Sequence, residues 1–225
     1  RDISWIKYEK HREDTERSSF NNVAQRVRGA FAGWSAPNDF IGSIPGEPNP
    51  YKLMNCCSPA GMHALYLAWD NIVTRNEEGV WINLSLNHDS QWVKINSFRP
   101  YQGKVEILIK QAPVLFIRVP DWVAKDKVKV TGISNGKRLE WVGNYLKLNG
   151  LRKRQLVCLT YPLREEERKE EIGGGEFLLH WKGDTVVEIS PPGRIYPLYQ
   201  RRNYLTSEAP QKRVSYHVPS KEIHW

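Results

Sequence analysis

After Gly79 the hydrophobic pattern of this chain changes period, and that change limits the fold more than any other feature. From there on, apolar residues alternate with polar ones in "VWINLSL" (Val80 to Leu86), "KVEILIK" (Lys104 to Lys110), "VLFIRV" (Val114 to Val119) and "KVKV" (Lys127 to Val130). Alternation places apolar side chains on one face of an extended segment, as half-buried strands require. Asn135-Gly136 is a two-residue hairpin signal. "NYLKL" and "QLVCLTYPL" supply two more strands, joined by Asn149-Gly150. About seven short strands with turns every 8–12 residues predict an antiparallel β-sandwich over residues 79–163.

The first third reads differently. In "RSSFNNVAQRVRGAF", Phe20, Val23, Ala24, Val27 and Phe31 fall on one helical stripe. "GWSAPNDFIGSIPGEPNP" then packs four prolines and three glycines into eighteen residues, a density that no helix or strand survives. Ser58 and Pro59 form a helix start, as N-cap and first helical residue. The predicted helix runs to about Asn76, with Met62, Leu65, Trp69, Ile72 and Val73 along one face. Beyond the sandwich, "REEERKEEIGGG" (Arg164 to Gly175) reads as a solvated loop, "EFLLHW" and "DTVVEI" as strands, and "SPPGRIYPLYQRR" as extended chain. The expected fold class is thus α+β, a helical region over 1–78, the sandwich over 79–163, and further strands with an extended tail over 164–225.

A net charge of +8 raises the question of a polyanion partner, but the basic residues are scattered and accompany no nucleic-acid motif. No apolar run approaches the ~20 residues a membrane helix needs. The expectation is therefore no nucleic acid and no membrane. Oligomeric state is not readable. The chain opens on Arg1 without a signal-peptide core, which suggests that it begins partway into a longer protein. Free thiols favour the cytoplasm over secretion, although a leader ahead of Arg1 stays compatible with the residues.

Two of only three cysteines are adjacent, in "MNCCSPAG". Cys56 and Cys57 could be inert thiols, a strained vicinal disulfide, or two thiolates of a metal site. A helix N-terminus lowers thiol pKa and favours the thiolate, which is both a zinc ligand and a nucleophile. Two ligands cannot complete a tetrahedral zinc site, and His63, His88 and His180 show no ligand spacing. Cys158, inside an alternating strand, reads as core filler. Trp34, Asn38 and Asp39 in the proline-rich loop are candidates for sugar contact, with loop packing and turn capping as equal alternatives. Trp81, Trp92, Trp122, Trp141 and Trp181 read as sandwich core, and His88 and Asp89 as an ordinary turn.

Several segments in one order resemble the beta-L-arabinofuranosidases among glycoside hydrolases: "GAFAGWSAPNDFIG", "NCCSPAG", a helix, "GVWINLSLN", "FIRVPDWV" and "NYLKL…QLVCLTYPL". They cover roughly residues 20 to 200. The resemblance implies the end of an (α/α)6 barrel followed by β-sandwich domains, so that this chain would be the C-terminal portion of such an enzyme. It also implies a retaining mechanism in which a zinc-bound cysteine replaces the usual carboxylate nucleophile. Carried over by motif, Cys56 is the nucleophile and a Zn2+ ligand, and Cys57 a second ligand, with an oligosaccharide or glycoside as substrate. The family's Glu-x-Cys ligands and its acid/base glutamate have no counterpart here, and Glu9, Glu13 and Glu16 do not inherit that role. The chain alone is therefore expected to be catalytically incomplete. The competing reading is a structural or carbohydrate-binding sandwich module with passive cysteines.

Overall fold

The computed structural model describes residues 57–134, 139–172, 174–192 and 201–210. The predicted helix in Arg17 to Phe31, the proline-rich loop, the Asn135-Gly136 turn and most of the extended tail lie outside these residues. What is described is mostly β-sheet with one α-helix, an α+β composition.

Helix α1 spans Cys57–Asp70. It starts one residue before Ser58, so Ser58 and Pro59 lie inside its first turn rather than at the cap. Proline is tolerated there because first-turn N–H groups have no helical acceptor. The helix also stops well short of Asn76. Ile72, Val73 and Thr74 form a run of β-branched residues suited to a strand, and Val73–Arg75 is strand β1, paired antiparallel with β2, Val80–Ile82. Asn76 closes the turn between them, its Oδ1 accepting from the Glu78 and Gly79 main-chain N–H groups at 3.0 and 3.2 Å.

The remaining strands of the sandwich are β3 (His88–Asp89), β4 (Val93–Ser97), β5 (Lys104–Ile109), β6 (Val114–Arg118), β7 (Lys129–Thr131), β8 (Glu140–Val142), β9 (Tyr145–Asn149) and β10 (Leu156–Thr160). They form two five-stranded sheets, ordered β1-β2-β6-β9-β8 and β3-β4-β5-β10-β7. Their inner faces meet in one core: Val105, Ile107 and Ile109 of β5 and Val157 and Leu159 of β10 face Ile82, Leu115, Ile117 and Leu146 of the other sheet. The sandwich is not wholly antiparallel, because β2 runs parallel to β6. Asn149-Gly150 does turn the chain, with Gly150 at φ +71°, but the turn carries it from one sheet to the other.

The charged run after Leu163 is a strand, not a loop. β11 (Glu165–Ile172) pairs along its whole length with β12 (Gly175–Lys182), which pairs with β13 (Thr185–Ser190). Charges on an edge strand discourage edge-to-edge association, and β11 is an edge in this sheet. The small sheet buries Leu179, Val187 and Ile189. It joins the sandwich through an Arg99–Asp184 ion pair and through Gly183, which lies under Trp122 and Leu163, and Tyr204, in the segment after the small sheet, meets Tyr101 edge-on at 5.3 Å.

Candidate functional site

Of the residues singled out in the sequence, Cys56, Trp34, Asn38 and Asp39 lie outside the described residues. Cys57 is the first residue of α1. Among the described residues no group of three or more His, Cys, Asp or Glu side chains could hold a metal. The described residues therefore do not make a zinc site.

Helix α1 carries exposed apolar side chains, Met62 at 58%, Leu65 at 57% and Trp69 at 56% among them. Its end is tied to the sandwich. Asn83 Nδ2 donates to the Asn71 carbonyl and to Thr74 Oγ1, both at 3.0 Å, and Trp69 meets His88 edge-on at 6.1 Å. His88 and Asp89 are strand residues paired with Lys94 and Ile95 of β4, not a free turn. Lys110 forms an ion pair with Asp89 and donates to the Ser90 carbonyl at 2.8 Å. Partial burial lowers the His88 pKa, against the pull of Asp89 in the other direction.

Cys158 is not core filler. Val157 and Leu159 point inward, and Cys158 stands half-buried on the outer face of β10, opposite Glu106 of β5 and Thr131 of β7. Trp92, Trp122 and Trp141 pack against the core as expected, whereas Trp81 lies on the outer side of its sheet, stacked on Phe116 at 3.9 Å. Its Nε1 donates to Asn76 Oδ1 at 2.9 Å, and Tyr145 meets it edge-on at 4.9 Å. Trp181 belongs to the small sheet, with the Arg168 guanidinium 5.5 Å from its ring.

A concavity lies where β8 closes one sheet, beside the link that leaves β7. It encloses about 750 Å³. Ile133, Leu139, Trp141, Leu148 and Leu151 form its apolar wall, and Ser134, Glu140, Lys147, Asn149 and Gln155 its polar side. Trp141 also walls a smaller cavity of about 250 Å³, in which Lys125 lies. Lys125 Nζ sits 5.1 Å from the Trp141 ring centroid and donates to the Gly143 carbonyl at 2.8 Å. Asn149 Nδ2 donates to Glu140 Oε2 at 3.1 Å. Gln155 is held at both ends, donating to the Gly132 carbonyl at 2.5 Å and accepting from the Arg152 N–H at 2.8 Å. No local pattern announces this pocket. The one signal in the sequence is a tryptophan beside a glutamate, just after a predicted turn.

No family model matches the chain, and no curated protein matches it. Solved structures do. One is a GH127 beta-L-arabinofuranosidase from Geobacillus stearothermophilus T6, 15% identical, with a TM-score of 0.48 over 66% of this chain and 28% of that one. A glycoside hydrolase matches at 18% identity and TM-score 0.44, over 66% of this chain and 29% of its own. A second GH127 beta-arabinofuranosidase matches at 15% identity and TM-score 0.44, over 61% and 26%. The chain thus spans less than a third of each.

Proposed function

We propose that this chain is part of a retaining glycoside hydrolase acting on beta-L-arabinofuranoside-like glycosides, with Cys56 as its nucleophile. The observation that carries the reading is that α1, a 14-residue helix, opens at Cys57, the residue that follows Cys56 in sequence, and the positive end of a helix favours thiolates. The order of segments supports it as well, because "NCCSPAG" leads through this helix directly into the sandwich. In this reading the exposed apolar residues of α1 would pack against further helices of a barrel.

In this reading the Cys56 thiolate attacks the anomeric carbon as the glycosidic C–O bond breaks. The departing oxygen takes its proton from a carboxylic acid, and water then displaces the thiolate with that carboxylate as base. Trp34, Asn38 and Asp39 contact the sugar. Zinc is the cofactor we propose, with Cys56 and Cys57 as two of its ligands; bound there, it would keep the thiols deprotonated. The remaining ligands and the acid have no counterpart by motif in this sequence. The proposed compartment is the cytoplasm.

The test uses the full-length protein that carries this sequence, assayed on an aryl beta-L-arabinofuranoside. Cys56→Ala should abolish cleavage while leaving the circular dichroism spectrum intact, and the protein should hold about one zinc per chain, lost in Cys57→Ala. Full activity in metal-free protein, or in Cys56→Ala, overturns the proposal.

A further inference from the structure

The open edge of β11 belongs to the small sheet, and its case does not depend on the thiol reading. The strand is eight residues long, and among the described residues no strand pairs with its outer side. Its ladder to β12 runs residue for residue, and residues 165–171 include neither proline nor glycine. The Gly183 N–H donates to the Arg164 carbonyl at 2.7 Å. By the alternation of an antiparallel ladder, Glu166, Arg168 and Glu170 then also bond to β12. Glu165, Glu167, Lys169 and Glu171 turn their N–H and C=O groups to the open edge. Edges are blunted by shortness, proline, bulges or charge, and β11 relies on charge alone.

That charge opposes pairing in neighbouring registers and favours it in one. Consider a second copy laid antiparallel along β11, on a two-fold axis through Glu167 and normal to the sheet. It sets Arg164 against Glu170, Glu165 against Lys169 and Glu166 against Arg168, each twice by symmetry. Only the two Glu167 side chains meet with like charge. Sliding the copies by two residues, the smallest slip that keeps every side chain on its face, destroys the match. An axis through Arg168 sets Glu165 against Glu171, Glu166 against Glu170 and Arg168 against itself. An axis through Glu166 sets Arg164 against Arg168 and Glu165 against Glu167. In the matched register the side chains are accessible, since residues 164, 165 and 167–170 are exposed. Arg164 and Arg168 already flank Glu166 within the strand, so the pairing extends an existing row of charges. Glu165, Glu167 and Lys169 also meet their counterparts with outward main-chain groups, for about six hydrogen bonds in all. We propose that β11 pairs with β11 of a second copy of this chain, joining the two small sheets into one continuous sheet.

Sedimentation of the chain from about 1 to 300 µM reads the association, with an expected Kd on the order of 10–100 µM, as suits a small polar contact. The substitutions all fall on exposed residues, and circular dichroism checks that each variant is folded. Lys169→Glu turns both Glu165 pairs repulsive and should weaken the dimer at least about tenfold. Lys169→Pro removes an outward N–H that the ladder to β12 does not use, and should abolish pairing. Glu165→Lys should fail by itself, like Lys169→Glu. An equimolar mixture of those two variants restores both matched pairs and should form a heterodimer about as tight as the unaltered dimer. Glu167→Gln removes the like-charge pair on the axis and should tighten the dimer about threefold. The proposal is overturned if the chain stays monomeric over the whole range, or if Lys169→Glu and Lys169→Pro leave the dimer unchanged. It is overturned equally if the two folded charge variants do not associate when mixed.

Discussion

Lys182 and Tyr204 are joined by a 2.8 Å hydrogen bond in which a nearly buried ammonium donates to a main-chain carbonyl. The same Nζ donates to the carbonyls of Leu205 and Thr206, at 3.1 and 3.2 Å, so that one lysine caps the 3₁₀ turn over Arg202–Leu205. Glu165 stands 3.9 Å away as a counter-charge. A cation at the carbonyl end of a helical turn satisfies acceptors that have no other donor. Lys182 thus fastens the segment after residue 200 to the small sheet.

Replacing it tests that role. Lys182 is 5% exposed, so Lys182→Met keeps the bulk of the side chain and strands three carbonyls. The expected loss is about 1–3 kcal/mol. Hydrogen exchange should rise at residues 203–207 while β5 and β10 keep their protection. Unchanged exchange in that segment would show that the three bonds carry no stability.

Two glycines of similar backbone conformation should respond unequally to alanine. Gly132 has φ +80° and Gly143 φ +58°, so a side chain strains both, by roughly 1–2 kcal/mol. A Cβ on Gly132 would also lie 1.9 Å from the Leu156 carbonyl oxygen, whereas one on Gly143 meets nothing within 4 Å. Gly132→Ala must therefore push β7 away from β10 and should lower the melting temperature far more than Gly143→Ala. Equal shifts in a thermal melt would refute the steric part of the argument.

Half-buried between Trp69 and its own strand, His88 has a pKa below the usual 6.5, chiefly through desolvation. Asp89 opposes that shift and is itself paired with Lys110. Because the folded-state pKa is depressed, the unfolded chain binds more protons just below pH 6.5, and stability falls as pH drops through that window. His88→Gln removes the titration, so its melting temperature should decline less between pH 7.5 and pH 5 than that of the unaltered chain. Parallel curves for the two proteins would exclude a His88 contribution.

The sandwich was legible where alternation marks burial: Val105, Ile107 and Ile109 repeat every second residue, and all three are inside. The helix start was legible from Ser58-Pro59 to within a residue, which places Cys57 at a helix terminus. What escaped depends on partners distant in sequence. β11 has no apolar period, and only pairing with β12 makes it a strand. Val73 continues the helical stripe of α1 yet belongs to β1, because Val80–Ile82 offers it a ladder. Trp81 was expected in the core, but alternation does not say which face is inner; Val80 and Ile82 take the core, and the indole turns outward onto Phe116. The Trp141 pocket escaped for the same reason, since residues 133–134, 139–142, 147–151 and 155 meet only once the sandwich has folded.

The three thiols should differ in reactivity, and the difference tests the proposed pair without any assay of activity. Burial raises the Cys158 pKa, Glu106 adds to the rise, and Lys104 and the Thr131 hydroxyl pull against it. At neutral pH Cys158 is therefore overwhelmingly protonated, and alkylation, which needs the thiolate, is slow. Cys57, the first residue of α1, and Cys56 before it in sequence are proposed to be more ionised. In zinc-free protein at pH 7, iodoacetamide should label the peptide holding Cys56 and Cys57 roughly tenfold faster than the Cys158 peptide, read by mass spectrometry. Adding zinc should protect the pair and leave Cys158 unchanged. If Cys158 reacts first, or all three react alike, the helix terminus does not activate the pair, and the nucleophile proposed for Cys56 loses its physical basis.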